Sequence, residues 1–221
     1  MPRRLPTALI AAGLCLAAAC SDGAPTSAAP DSSTSAPTST TTAGAPVDHL
    51  LIEASDLPAG FEPSGSVDDT ITAFCAGEDA AAGLQASSRA VGGFQRTGGG
   101  ASVVQLAFRF RDDDATTFVA QAAAALDRCG SVPDLSGLAF EYQPLAPELE
   151  AVLAEGTDGH TGRYGTSVGS GKLTIDVAVV RHGEVGELIA VLGVDLPRPD
   201  LDALAAPAFS AVVARLRDAT P

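Results

Sequence analysis

The chain has 221 residues, a formal net charge of −14, 46% hydrophobic residues, no tryptophan and a single lysine, Lys172. So acidic a chain argues against nucleic acid as a partner and against electrostatic adhesion to anionic lipid. Solubility accounts for the acidity better than calcium does, because Asp112-Asp113-Asp114 lacks the alternating spacing of a calcium loop.

The first residues read MPRRLPTALIAAGLCLAAAC. Arg3 and Arg4 give a positive start, and Leu5 to Ala19 is an apolar run too short to span a bilayer comfortably. This is the pattern of a secretory signal. Leu16-Ala17-Ala18-Ala19-Cys20 resembles a bacterial lipobox, with the leucine one place further from the cysteine than usual. The resemblance implies cleavage before Cys20 and lipidation of its thiol. An ordinary signal peptide with a chance cysteine is the alternative. Each buried acyl CH₂ contributes roughly 0.8 kcal/mol, so two or three chains hold a protein on the membrane.

Residues 21–46 are nearly all Ser, Thr, Ala, Pro and Gly, with no aromatic or large aliphatic residue. Such a stretch cannot bury enough apolar surface to offset its ordering entropy. It reads as a tether with a root-mean-square span of roughly 30 Å. The organisation expected is therefore a lipoprotein signal peptide over 1–19, a lipidated cysteine and tether over 20–46, and a single domain over 47–221. Without Arg3 and Arg4 the formal charge moves from −14 to −16.

In the domain, 47–61 reads as a short helix or turn with Leu50, Leu51 and Ala54 inward. The alanine-rich stretch 73–85 predicts a helix with Cys75 near its start. Gly98-Gly99-Gly100 predicts a hairpin, and Val104, Leu106, Phe108 and Phe110 alternate through its second strand. A helix follows over 113–130, with aspartates at its N-terminus, Arg128 in its last turn and Gly130 as C-cap. Phe118, Ala122, Ala125 and Cys129 share its inner face. Strands are expected at 138–142, 160–168, 172–181 and 187–196. A last helix is expected over 200–219, kinked or restarted at Pro207. Tight turns between strands make them antiparallel. The fold class is α+β: an antiparallel sheet of about five to six strands, with helices packed mainly on one face.

Two cysteines remain in the domain, Cys75 and Cys129, and an exported chain permits a disulfide. Closing that loop contributes about 4 kcal/mol in the chain-entropy view. A metal or catalytic role has no C-x-x-C and no neighbouring histidine behind it.

Residues 165–169 spell G-x-S-x-G around Ser167, the spacing of a serine-hydrolase nucleophile elbow, and Gly171-Lys172 follows. An elbow needs a helix after the serine, and a phosphate loop needs a helix after the lysine. Here a strand pattern follows, so Gly169-Ser170-Gly171 reads as hairpin punctuation. His160 lies near Asp158 and His182 lies in a turn; neither carries a metal or base signature.

Leu50-Leu51, Ala54, Asp56-Leu57-Pro58 and Gly60-Phe61 form a phrase that resembles the opening of small lipoproteins from high-GC Gram-positive bacteria. The order Cys75, hairpin, helix ending in Cys129, meander and final helix is similar to the extracellular sensor-like domains of mycobacterial Ser/Thr kinases. Those domains carry two disulfides, whereas this one can form a single bond. The resemblance implies a non-catalytic ligand-binding or sensing domain on the outer face of the cell membrane, and it brings no catalytic residue.

The expected function is therefore a membrane-anchored lipoprotein that binds an apolar or amphipathic small molecule or an envelope protein, with no cofactor and no metal. If a pocket forms, it is expected between sheet and helices, with Phe61, Phe94, Phe140 and Tyr142 as candidate lining and core or surface packing as the alternative for each. The alternatives are a serine esterase using Ser167 with His160 or His182, and a structural component of the cell envelope.

Overall fold

The computed structural model describes residues 46–64, 73–74, 78–111, 113–129, 139–154 and 157–219. Cys20, the tether and Cys75 lie outside them. Among these residues nine strands are formed: β1 (Phe61–Pro63), β2 (Ala73–Phe74), β3 (Glu78–Asp79), β4 (Ala86–Arg96), β5 (Ala101–Phe110), β6 (Glu141–Gln143), β7 (Asp158–Val168), β8 (Gly171–His182) and β9 (Val185–Val194). The helices are α1 (Asp114–Arg128), α2 (Pro147–Ala154) and α3 (Arg198–Asp218). Seven strands make one antiparallel sheet in the order β1-β4-β5-β9-β8-β7-β6, and β2 and β3 pair separately.

The α+β class and the antiparallel pairing agree with the sequence. The sheet has seven strands rather than five to six. The short edge strand β1 accounts for the difference. Three residues are too few to show an alternation.

The helices cover both faces, not mainly one. The reason is written in the central strands. In β8, Val177 and Val179 belong to a core with α1, while Ala178 and Val180 belong to a core with α2 and α3. In β5, Leu106 and Phe108 point to α1 and Ala107 to the opposite side. Successive side chains alternate across a sheet, so a strand apolar in both sets needs a cover on both sides.

The α1 side is an aromatic core. Phe108, Phe110 and Phe118 meet with ring centroids 5.2–5.4 Å apart. Gly186 admits them, because a Cβ there would stand 2.9 Å from Phe118 Cδ1. Ala122, Ala125 and Cys129 are buried on the same helix face, as their spacing predicts. The other side is aliphatic. Leu201, Leu204, Ala208, Val212 and Leu216 of α3 are all buried, and α3 runs unbroken through Pro207.

Three local expectations fail. The stretch 73–85 is not a helix where it is described: it holds β2, β3 and a turn. Gly83 sits at φ +78, outside helical space, and a short alanine run has little helical stability of its own. Residues 47–61 form two 3₁₀ turns, Asp48–Leu50 and Ala54–Asp56. Ile52 and Leu57 are buried there beside Leu50, while Ala54 is exposed. The strand expected at 138–142 appears as β6, shifted to 141–143, and α2 follows it unforeseen. The signal for α2 was present: Pro147 opens it, Glu148 and Glu150 fall in its first turn, and Leu149 and Leu153 share its buried face.

The N-terminal turns are tied to α3. Asp56 accepts hydrogen bonds from the Glu53 amide at 2.7 Å and from Arg215 Nη2 at 2.6 Å, and Arg215 Nη1 donates to the His49 carbonyl at 3.2 Å.

Replacing the fully buried Phe118 with alanine should destabilise the domain by about 3–5 kcal/mol, since it opens a cavity in the aromatic core. Urea denaturation checks this. A cost below about 1 kcal/mol would mean that α1 does not pack as described.

Candidate functional site

The G-x-S-x-G segment ends β7 and turns into β8. Val168 pairs with Gly171, and Gly169 takes φ +61 in the two-residue turn between them. A strand, not a helix, follows the serine. Ser167 lies opposite Lys172. His160 is seven residues back along β7, roughly 23 Å at strand rise. His182 pairs with Val185 at the far end of β8. The three side chains are not brought together.

The Gly171-Lys172 amide also has a partner. Lys172 N donates to Asp195 Oδ1 at 2.7 Å, and Asp195 N donates to the Lys172 carbonyl at 2.8 Å. Asp195 holds φ 54 to do so. A carboxylate thus occupies the place where a phosphate loop would present its amides.

The four aromatic residues expected to line a pocket are dispersed. Phe61 and Phe94 lie in the α3-side core and Phe140 in the α1-side core, all three buried. Tyr142 is 59% exposed on β6 and meets Tyr164 edge-on at 5.9 Å. They miss the pocket because strand parity and the core on each face decide where they point.

A cleft of about 680 Å³ opens elsewhere, at the edge of β7. β7 has 11 residues, and β6 pairs only with Arg163, Tyr164 and Gly165. The segment Asp158–Gly162 therefore has β8 on its inner side and no strand beyond it among the described residues. α1 supplies one wall through Val119, Ala120 and Ala123, and α2 supplies the other through Leu153 and Ala154. The volume falls in the range of small-ligand sites.

Polar groups stand on this apolar bed. Arg181 Nη2 donates to Asp158 Oδ2 at 2.6 Å, pairing residues that face each other across β7 and β8. His160 Nε2 lies 3.7 Å from Asp127 Oδ1, too far for a hydrogen bond, and has no other partner among the described residues. Glu150 stands on the α2 wall. His160 was named from the sequence beside Asp158; the cleft around it was not, since it depends on where β6 stops.

Two buried polar clusters lie under α3 and its neighbours. Arg163 Nε and Nη2 donate to the two oxygens of Asp176 at 2.5 Å, and Nη2 also donates to Asp202 of α3. Arg163 and Asp176 are fully buried. The hydrogen bonds that Arg163 donates to Asp176 lead in holding the guanidinium firmly protonated, and burial opposes them. Such a fork-to-fork pair anchors α3 to the sheet, and removing one partner alone would strand a buried charge. The second cluster is Gln105 with Glu187. Gln105 accepts from the Ile52 amide at 2.7 Å, and its Nε2 donates to the Leu50 carbonyl at 3.0 Å and to Glu187 Oε2 at 2.5 Å. Burial pushes the Glu187 carboxyl up to about 8, with Gln105 and the charge of Arg215 pulling the other way. The alternation of Val104, Leu106, Phe108 and Phe110 put Gln105 on the opposite face of β5; it did not reveal that this face is covered.

Cys129 is disulfide-bonded. Cys75 lies outside the described residues. No helix among them is long and apolar enough to cross a membrane.

No family model matches the chain, and no curated protein matches it. Among solved structures, a point mutant of the protein Mog1 is similar over 73% of this chain and 83% of its own, at 12% identity and a TM-score of 0.32. At that TM-score the likeness carries no argument about fold or function.

Glu187 generates a pH prediction. Its carboxyl keeps a proton in the folded chain up to about pH 8, against 4.5 as an ordinary glutamate. The folded state therefore binds more protons between those values, and stability falls as pH rises through that window. Glu187→Gln should flatten the fall and stabilise the domain at pH 8 by a few kcal/mol, to an order of magnitude. Urea midpoints at pH 5 and pH 8 for both chains measure it; parallel pH dependences would show that Glu187 is ionised throughout.

Proposed function

We propose that this chain is a lipid-anchored, extracytoplasmic lipoprotein whose domain binds a ligand without catalysis, at the cleft between α1, α2 and β7. The observation that carries the reading is that cleft: about 680 Å³, apolar on both walls, with a few polar groups at one strand edge. Sites of this kind bind an amphipathic molecule by burying its apolar part and orienting its polar part.

The N-terminal sequence supports the location. Arg3 and Arg4, the apolar run and Cys20 give the anchor, and residues 21–46 give the reach. The phrase at 50–61 supports a likeness to small lipoproteins of high-GC Gram-positive bacteria, and the order of elements a likeness to the sensor-like domains of mycobacterial Ser/Thr kinases, which carry two disulfides where this chain can form one. In this reading Cys75 is the partner of Cys129 and ties the segment after β1 to the end of α1.

Native mass spectrometry of residues 21–221, exported to an oxidising compartment and purified gently, tests the binding role. The expected result is an adduct that denaturation releases and that Ala120→Trp, an exposed α1 residue turned into the cleft, abolishes. A bare mass in both chains would remove ligand carriage as the function and favour a structural envelope role. The same fragment treated with an alkylating agent before reduction should gain no label. Two labels would overturn the Cys75–Cys129 bond.

A further inference from the structure

The cleft has the shape of a missing strand. β7 continues for five residues, Asp158–Gly162, past the point where β6 stops. At strand rise that is roughly 13 Å of open edge. An open edge is a row of backbone donors and acceptors without a ladder partner, and it is a template for another strand. Proteins usually blunt such edges. Here α1 and α2 flank it from opposite faces of the sheet, and among the described residues no strand stands in the slot between them.

The rim selects by charge. Asp127, Glu150 and Asp158 stand around the slot, and Arg181, the one guanidinium among its described lining residues, is already bonded to Asp158. Asp127 and Asp158 have side chains 73% and 72% exposed. A second copy of the chain would bring these carboxylates against their own images. The tether, residues 21–46, contains no lysine or arginine to answer them.

We infer that the slot takes an extended, positively charged peptide segment of a partner protein, which adds to the sheet along Asp158–Gly162 between α1 and α2. Main-chain hydrogen bonds to β7 supply register, and alternate side chains reach the two helix walls. Small apolar residues pack on Val119, Ala120, Leu153 and Ala154, and lysine or arginine reaches Asp127 and Glu150. The inference rests on the cleft being the binding site, and it names the class of occupant.

The test is amide hydrogen exchange of the full mature chain, with and without a blocked pentapeptide, acetyl-Lys-Lys-Val-Val-Lys-amide, whose alternation gives each helix wall a valine and at least one lysine. Two controls run beside it: the glutamate analogue, and the lysine peptide with N-methylated backbone amides. With free peptide at about five times its Kd, exchange over 158–162 should slow about sixfold, the factor 1 + [L]/Kd. Neither control should protect. Ala120→Trp should abolish protection, and Asp127→Lys with Glu150→Lys, both at exposed positions, should transfer it to the glutamate peptide. Equal protection by the N-methylated peptide would overturn strand addition. Protection that needs no peptide and grows with protein concentration would make a second copy the occupant and overturn the proposal. No protection by any peptide, with a small-molecule adduct still seen in native mass spectrometry, would overturn this inference and leave the binding role standing.

Discussion

Strands β5, β8 and β9 are apolar on both faces, and the architecture follows from covering each face. Val177 and Val179 cannot be buried by the helix that buries Ala178 and Val180, because they point the other way. One helix would leave half of the best-packed residues wet. α1 therefore takes one side with an aromatic cluster, and α3 with α2 takes the other with aliphatic side chains. The chain order allows it: α1 leaves the sheet after β5, and α3 returns to it after β9, on opposite faces.

The second cover brings an electrostatic consequence. Once α3 lies on the sheet, the polar residues of that face are sealed beneath it. Arg163, Asp176, Gln105 and Glu187 are all buried. Each can stay only with partners. Arg163 and Asp176 find each other across β7 and β8, and Asp202 joins from α3. Gln105 binds the backbone of Leu50 and Ile52, which holds the N-terminal turns against the sheet. The charged pair gives less net stability than an apolar packing of equal volume would, since desolvation offsets most of its attraction. Its stronger effect is on geometry: α3 must sit where Asp202 meets Arg163.

Much of this was legible in the sequence, and the limits have physical causes. The long alternating strands and the inner faces of α1 and α3 read correctly because their periods persist for ten residues or more. β1 and α2 are too short for a period to stand out, β6 lies a few residues beyond the expected strand, and the alanines of 73–85 imitate a helix where Gly83 takes φ +78. Of the two readings of the aromatic residues, packing holds: Phe61, Phe94 and Phe140 are core and Tyr142 is surface. The cleft depends on a mismatch in strand length between β6 and β7. No local pattern encodes such a mismatch; it arises only when the two strands are paired.

The same mismatch explains why the cleft sits where it does. A long β6 would complete the edge and leave α1 and α2 closing over a paired strand. A short β6 leaves both helices overhanging backbone that has no strand partner among the described residues. The walls are built largely of Ala120, Ala123 and Ala154, which fill little of the space between them. Larger side chains at those positions would close the slot at no cost to the two cores, because those residues lie on helix faces that the cores do not use. An open edge among the described residues, with small residues around it and carboxylates at its rim, is the geometry on which the proposed strand addition rests.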